Sequence, residues 1–331
     1  MKGKYQKIAG AFVLGILIPF LVFQLSAMVR AGKVSETEPE EQTQSDVLLP
    51  TQPATEPEAL VSVYMSHGEA VQMPMDEYLV GVILAEMSTD YEMAALQAQA
   101  VAARTYAQRR AEEGRHPNGG ICTDSGCCQA YVSVAAYLDG LGYPIDVERA
   151  QQAADSTHGQ VLTYQGKCIE ATYFSCAGGK TEDAVAVWGV LYPYLRSVDS
   201  PEGEDKHHMV RKVFSEEVLE EKLGRVLYGD PEGWIGWTTY TEGGGVNTVF
   251  FAGQRYHGTE FRSLLGLAST SFSLEPTEDG IAVITCGKGH RVGMSQCGAQ
   301  VLALGGNTYP EILLHYYPGA EIGNPDALGT G

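Results

Sequence analysis

The stretch LAEMSTDYEMAALQAQAVAARTYAQRR, Leu84 to Arg110, decides how this chain is read, because it ends an apolar helix on a carboxylate and starts a second helix directly after it. Upstream, in PMDEYLVGVIL, Leu79, Val82, Ile83, Glu86 and Met87 recur at offsets of three and four, which sets them on one helical face. Glu86 therefore points where the hydrophobes point. A carboxyl in apolar surroundings keeps its proton to higher pH unless a cation pairs with it, so Glu86 is a candidate general acid. Asp76 and Glu77, after Pro74, suit the positive end of the helix dipole and need no further role. Thr89 and Glu92 have the spacing of a capping box for the next helix.

That next helix is crowded with Ala, which favours helix and lets a neighbouring backbone come close. Gln97, Val101, Arg104 and Gln108 form one stripe along it. Arg104 has two readings: an anchor for a substrate carboxylate, or an ion-pair partner for Glu86. They make opposite demands, since a nearby guanidinium lowers a carboxyl pKa and opposes general-acid action.

Working outward, 331 residues with 44% hydrophobic content can bury a full core. A net charge of −19 with 22 Lys+Arg argues against a nucleic-acid partner, whose binding is driven by neutralising phosphates. Near the N-terminus, Ile8 to Val29 is an apolar run of the length a bilayer span requires. Lys2, Lys4 and Lys7 precede it and an acidic stretch follows, so residues 1–34 read as a cytosolic stub and a single uncleaved transmembrane anchor, with the remainder outside. Residues 35–58, rich in Pro, Glu, Thr and Gln, read as a disordered linker. Residues 59–331 mix helical and strand-like patterns without a repeat, so the expected class is α+β: a helical catalytic segment packed on mixed β-structure, preceded by one transmembrane helix.

Cysteine usage adds a second candidate site. In RHPNGGICTDSGCCQAY, His116, Cys122 and Cys128 are spaced His-x5-Cys-x5-Cys, and imidazole with thiolate is a typical zinc ligand set. Cys127, water or substrate is left to supply a fourth ligand. Disulfides compete with this reading in a domain outside the membrane, and Cys168 with Cys176 or Cys286 with Cys297 are two conceivable pairs among seven cysteines. The segment CIEATYFS reads as a strand on which Tyr173 and Ser175 share a face. Trp188, Tyr192 and Tyr194 are candidates to stack on a ligand. Gly293-Met294-Ser295-Gln296-Cys297 only approximates a nucleophile elbow, and Ser295 is better read as the cap of a helix running to Gly305 and Gly306. His290, just upstream, is a candidate cleft residue.

Three ordered blocks carry a family resemblance: YLVGVILAEMSTDYEMAALQAQAVAARTYA from Tyr78, YFSCAGGKTEDAVAVWGVLYPYLRSVDSP from Tyr173, and GHRVGMSQCGAQVLALGGNTYPEILLHYYPG from Gly289. Together they resemble the stage II sporulation protein D family of membrane-anchored lytic transglycosylases of peptidoglycan. The resemblance implies that Glu86 is the catalytic acid and that Arg104, Tyr173 and Ser175 belong to the active site. It also implies glycan strands freed of stem peptides as substrate, and as partners a sporulation amidase and endopeptidase with membrane engulfment proteins. Some clostridial members resemble this chain at the cysteine loop and bind zinc there; a structural zinc is the cofactor expected.

The chemistry is consistent with a lone acid. Most glycosidases use two carboxyl groups. In lytic transglycosis the muramyl C6 hydroxyl is itself the nucleophile, so one residue can protonate the leaving oxygen and then take the hydroxyl proton. A glycan-binding enhancer of a wall amidase, needing no acid, is the second expectation. A hydrolase using Asp199 or Glu202 to activate water is a third.

Overall fold

A computed structural model describes residues 60–65, 68–140, 142–201, 203 and 209–324. The anchor expected at Ile8 to Val29 and the linker lie outside the described residues; among those described, no helix is long and apolar enough to cross a membrane. The mixed α+β class expected from the sequence is what forms.

The Glu86 helix spans Met75–Glu86, and Tyr78 through Leu84 are all buried. Through that stretch the helix is buried on every side, more than one stripe predicts. Gly81 is the reason a second segment can lie against it: a Cβ there would sit 2.3 Å from the Tyr131 ring and 2.6 Å from the carbonyl of Val132. The helix accepts that glycine, which costs about 1 kcal/mol relative to Ala, and gains a close neighbour on the face leading to Glu86.

The Ala-rich helix spans Met93–Glu113, with Gly114 in a left-handed cap at its end. It packs against helices Pro144–Asp155, Gln296–Leu304 and Tyr309–Tyr316, which makes it the axis of the larger core. The expected capping box does not form. Thr89 donates instead to Asp146 at 2.6 Å, and the helix starts after Glu92, whose backbone N–H is satisfied by Gln300 at 2.7 Å. Tertiary partners outbid the local cap.

CIEATYFS is likewise not one strand. Lys167–Cys168 pairs with Val161–Tyr164; the chain then turns through Glu170, and Tyr173–Phe174 pairs in parallel with Met294–Ser295. The break occurs where Glu170 is drawn to Arg109 and Arg110. That parallel register also decides the disulfide. Phe174 faces Ser295, so the residues two positions further on, Cys176 and Cys297, meet and are bonded. Neither of the pairs conceived from the sequence forms; Cys168 and Cys286 are free.

Residues 209–286 build a lobe with its own core, in which Phe214, Trp234, Phe251, Phe261 and Phe272 are buried. Its sheets are Met209–Ser215, Gly280–Cys286 and Ser271–Thr277, and Ile235–Tyr240, Val246–Phe251 and Gln254–His257. The described residues still form one compact unit. The fastening is a buried ion pair: Arg291 Nη1 donates to Glu182 Oε1 at 3.0 Å, and the same oxygen accepts from the backbone N–H of Gly245 at 2.9 Å. Arg291 also reaches the carbonyls of Ala177 and Gly243. A Cβ at Gly245 would lie 2.3 Å from Glu182 Oε1, so only glycine admits this approach.

Candidate active site

Between the helical core and the second lobe lies a cavity of about 950 Å³. Glu86, Tyr173, Ser175 and His290 from the sequence prediction line it, as do Trp188 and Tyr192. Glu86 is half-buried at the end of its helix. Its Oε1 accepts from the backbone N–H of Ala130 at 3.2 Å, and Gln296 Nε2 lies 3.5 Å from its Oε2. Burial raises the Glu86 pKa, opposed only in part by these two donors. No Lys or Arg pairs with it among the described residues.

Two other carboxylates line the cavity, Glu113 and Glu170. Glu170 is buried and held by Arg109 and Arg110, and Glu113 pairs with the same two arginines. Both are committed. Asp199 is exposed, pairs with Lys180 at 3.5 Å and is not among the residues lining the cavity; Glu202 lies outside the described residues.

Arg104 is not in the cavity, which corrects both readings of it. Its Nη2 donates to Asp76 Oδ1 at 2.7 Å, and its Nη1 to the carbonyl of Thr157 at 2.8 Å. It is 3% exposed, and from the middle of its own helix it ties the start of Met75–Glu86 to the end of Pro144–Asp155, away from the cavity. Asp76, assigned only to the helix dipole, has this ion pair as its larger role. Tyr194 is also withdrawn: it is buried, packs on Tyr164 and Tyr192, and its hydroxyl accepts from the backbone N–H of Glu170 at 3.1 Å. Of the aromatic run, Trp188 and Tyr192 are the ones that face the cleft.

Sequence reasoning missed Gln129 and Gln296. Gln129 is buried, accepts from the Tyr173 hydroxyl at 2.7 Å and donates to the Tyr78 hydroxyl at 3.2 Å. It joins the two walls beside Glu86. A glutamine next to a cysteine pair and another before a cysteine give no pattern by which they could have been found.

His290 sits between the rings of Phe174 and Trp188, at centroid distances of 5.5 and 5.3 Å. Its Nδ1 accepts from the backbone N–H of Val292 at 3.2 Å. Burial first, and the charge of Arg262 second, push its pKa down to about 4, so it is a neutral ring near pH 7.

The cysteine loop forms one wall of the cavity through Cys127 and Cys128. The ligand atoms of His116, Cys122, Cys127 and Cys128 all lie within 4.8 Å of one another. His116 Nε2 is 3.4 Å from Cys128 Sγ and 3.5 Å from Cys127 Sγ. Tetrahedral zinc, with bonds of about 2.1 Å to nitrogen and about 2.3 Å to sulfur, sets its ligands roughly 3.5–3.8 Å apart. The donor set fits zinc, and Cys127 is placed to be the fourth ligand.

These features define a class: among the described residues, the cleft sets one acid without a cation partner beside a Cys-rich loop, and a family model described as "Stage II sporulation protein" matches residues 65–164, the segment that carries both. The chain belongs to the stage II sporulation protein D family. It is 34% identical to stage II sporulation protein D of Bacillus amyloliquefaciens over 97% of this chain and 96% of that protein. To stage II sporulation protein D of Bacillus subtilis (strain 168) it is 36% identical, over 81% of this chain and 80% of the relative. A more distant similarity, 25% over 74% of this chain and 40% of the other, is to a Bacillus subtilis protein named "Amidase enhancer".

Proposed function

We propose that this sporulation-family protein is a lytic transglycosylase that cuts peptide-free peptidoglycan strands to 1,6-anhydro-muramyl ends, with Glu86 as acid and then base. The observation that carries the reading is that, among the described residues, Glu86 is the one cavity carboxylate not held by arginines, and burial raises its pKa. Glu86 protonates the glycosidic oxygen. The carboxylate so formed takes the proton of the muramyl C6 hydroxyl as that oxygen attacks the anomeric carbon. The Ala130 N–H holds Oε1 and Gln296 Nε2 approaches Oε2, so both oxygens of the acid are oriented by neighbours that carry no charge. Ser175 and Tyr173 supply hydroxyls along the wall, and Trp188 and Tyr192 supply apolar faces for sugar rings.

Product analysis tests the reading. Purified peptide-free strands incubated with the protein are expected to yield anhydro-muramyl ends by mass spectrometry; new reducing ends would indicate hydrolysis instead. The similarity to an amidase enhancer favours a second reading, in which the cleft binds strands and stimulates a wall amidase. Binding and stimulation without any cut ends would support it. In either case we place the domain outside the membrane on an N-terminal anchor, working with an amidase and endopeptidase partner and membrane engulfment proteins.

In this reading a zinc ion is held by His116, Cys122, Cys127 and Cys128. It supplies a crosslink and no step of the reaction. Cys127 and Cys128 lead directly to Gln129, which holds Tyr173, and to Ala130, which holds Glu86. His116→Ala is therefore expected to lower the zinc content from about one per chain, to drop Tm by roughly 5 °C or more, and to reduce cleavage. Elemental analysis and calorimetry check the first two; an unchanged Tm with no metal in either protein would overturn the zinc assignment.

A further inference from the structure

Arg262 stands apart from the other cations of the cavity. Arg110 is bound to Glu113 and Glu170, whereas Arg115 and Lys288 are exposed and need no partner beyond water. Arg262 lines the same cavity, is half-buried, and pairs with no carboxylate among the described residues. Its guanidinium is held in place by the chain just beyond its own helix, Gly258–Leu265: Nε donates to the carbonyl of Leu267 at 3.2 Å and Nη2 to that of Ala268 at 3.1 Å. Carbonyl dipoles orient the group without neutralising it. Burial lowers its pKa with no counterion to offset that, and its charge is felt at His290 on the cavity wall. A desolvated, pre-oriented guanidinium facing a cleft is complementary to a carboxylate, which it can bind through the N–H groups its backbone contacts leave over.

We propose that Arg262 is a specificity-determining residue that binds the free lactyl carboxylate of a muramyl unit, so that the cleft selects strands whose stem peptides have been removed. This rests on the glycan-strand reading above. On a peptide-free strand the neutral sugars carry that carboxylate as their anionic group; on a peptide-bearing strand it is an amide and has no charge. The same contact makes the preceding reaction class explicit: an amide hydrolysis must release the carboxylate before this site engages.

The test compares peptide-free strands with the same strands after their lactyl carboxylates are converted to methylamides. Both are offered to wild type, Arg262→Gln and Arg262→Lys. The expected wild-type preference for the carboxylate form in kcat/KM is about tenfold to a hundredfold, the range of a charge-assisted hydrogen bond. Arg262→Gln is expected to bring that ratio close to one, and Arg262→Lys to keep part of it. Because the ratio is taken within one variant, partial unfolding cancels. A wild type that treats both strands alike, or an Arg262→Gln ratio equal to that of wild type, overturns the proposal. Binding of both strands to Glu86→Gln, with and without Arg262→Gln, separates the two readings. A binding preference that depends on Arg262 while wild type cuts neither strand would leave the carboxylate site standing and remove the transglycosylase.

Discussion

Glu86→Gln is expected to reduce strand cleavage by about a thousandfold, the middle of the range for a lost general acid, while leaving strand binding in place. The substitution keeps size and keeps an oxygen to accept from Ala130 N–H, so the loss would belong to the proton and not to the fold. Glu86 donates its proton first, so kcat is expected to be flat at low pH and to fall as pH rises through its raised pKa. His290, neutral above about 4, adds no second limb near neutrality. Stability gives an independent check. A carboxyl whose folded pKa lies above its unfolded value is best accommodated when protonated, below the ordinary carboxylate range. That advantage is lost as pH rises through the folded pKa. Glu86→Gln is thus expected to match wild type in Tm at about pH 4 and to exceed it near pH 8, measured by calorimetry on the same preparation. A variant less stable at every pH would mean that the Glu86 carboxylate is structural.

The largest stability effect is expected at Glu182. Its pairing with Arg291 is 1% exposed on both sides and holds the turn at Gly243 and Gly245 against the core. Removing one partner of a buried pair leaves an uncompensated charge and costs about 3–5 kcal/mol, which for a domain of this size corresponds to roughly 10 °C in Tm. Arg291 is also held at a left-handed φ of 67°, a conformation that a broken pair no longer supports. Glu182→Ala is expected to unfold early, and Glu182→Met with Arg291→Met together to recover part of the loss, because no charge is then stranded. If the double variant loses as much as the sum of the singles, the pair is not coupled and its assigned role fails. Since Arg262 belongs to the lobe this pair fastens, Glu182→Ala should also weaken the carboxylate preference at temperatures where the core is still folded.

Much of the site's chemistry was local enough to read in the chain. Glu86 stood out because its helical face is otherwise apolar, and His116, Cys122 and Cys128 because imidazole and thiols at short spacing have few other uses. Tyr173, Ser175 and His290 came from nearby patterns, and the structure brings them to the same cavity as Glu86. Arg104 was misplaced because periodicity gives the face a residue shares and not the partner on that face, and Tyr194 because an aromatic ring suits a core as well as a cleft wall. Arg104 found Asp76, 28 residues earlier, and Tyr194 found Glu170.

The sequence by itself determined the α+β class, the two adjacent helices with an acid at their junction, the cysteine-rich loop and the Ser295 cap, since each depends on interactions within a few residues. Only the tertiary structure decided the rest. The parallel register of Tyr173–Phe174 with Met294–Ser295 selected the Cys176 to Cys297 bond across 121 positions. The second core, the Glu182 to Arg291 fastening and the approach of Arg262 to the cleft join segments far apart in the chain. Such pairings are chosen by burial and charge compensation in the folded chain, and those energies do not exist until the distant partners have met.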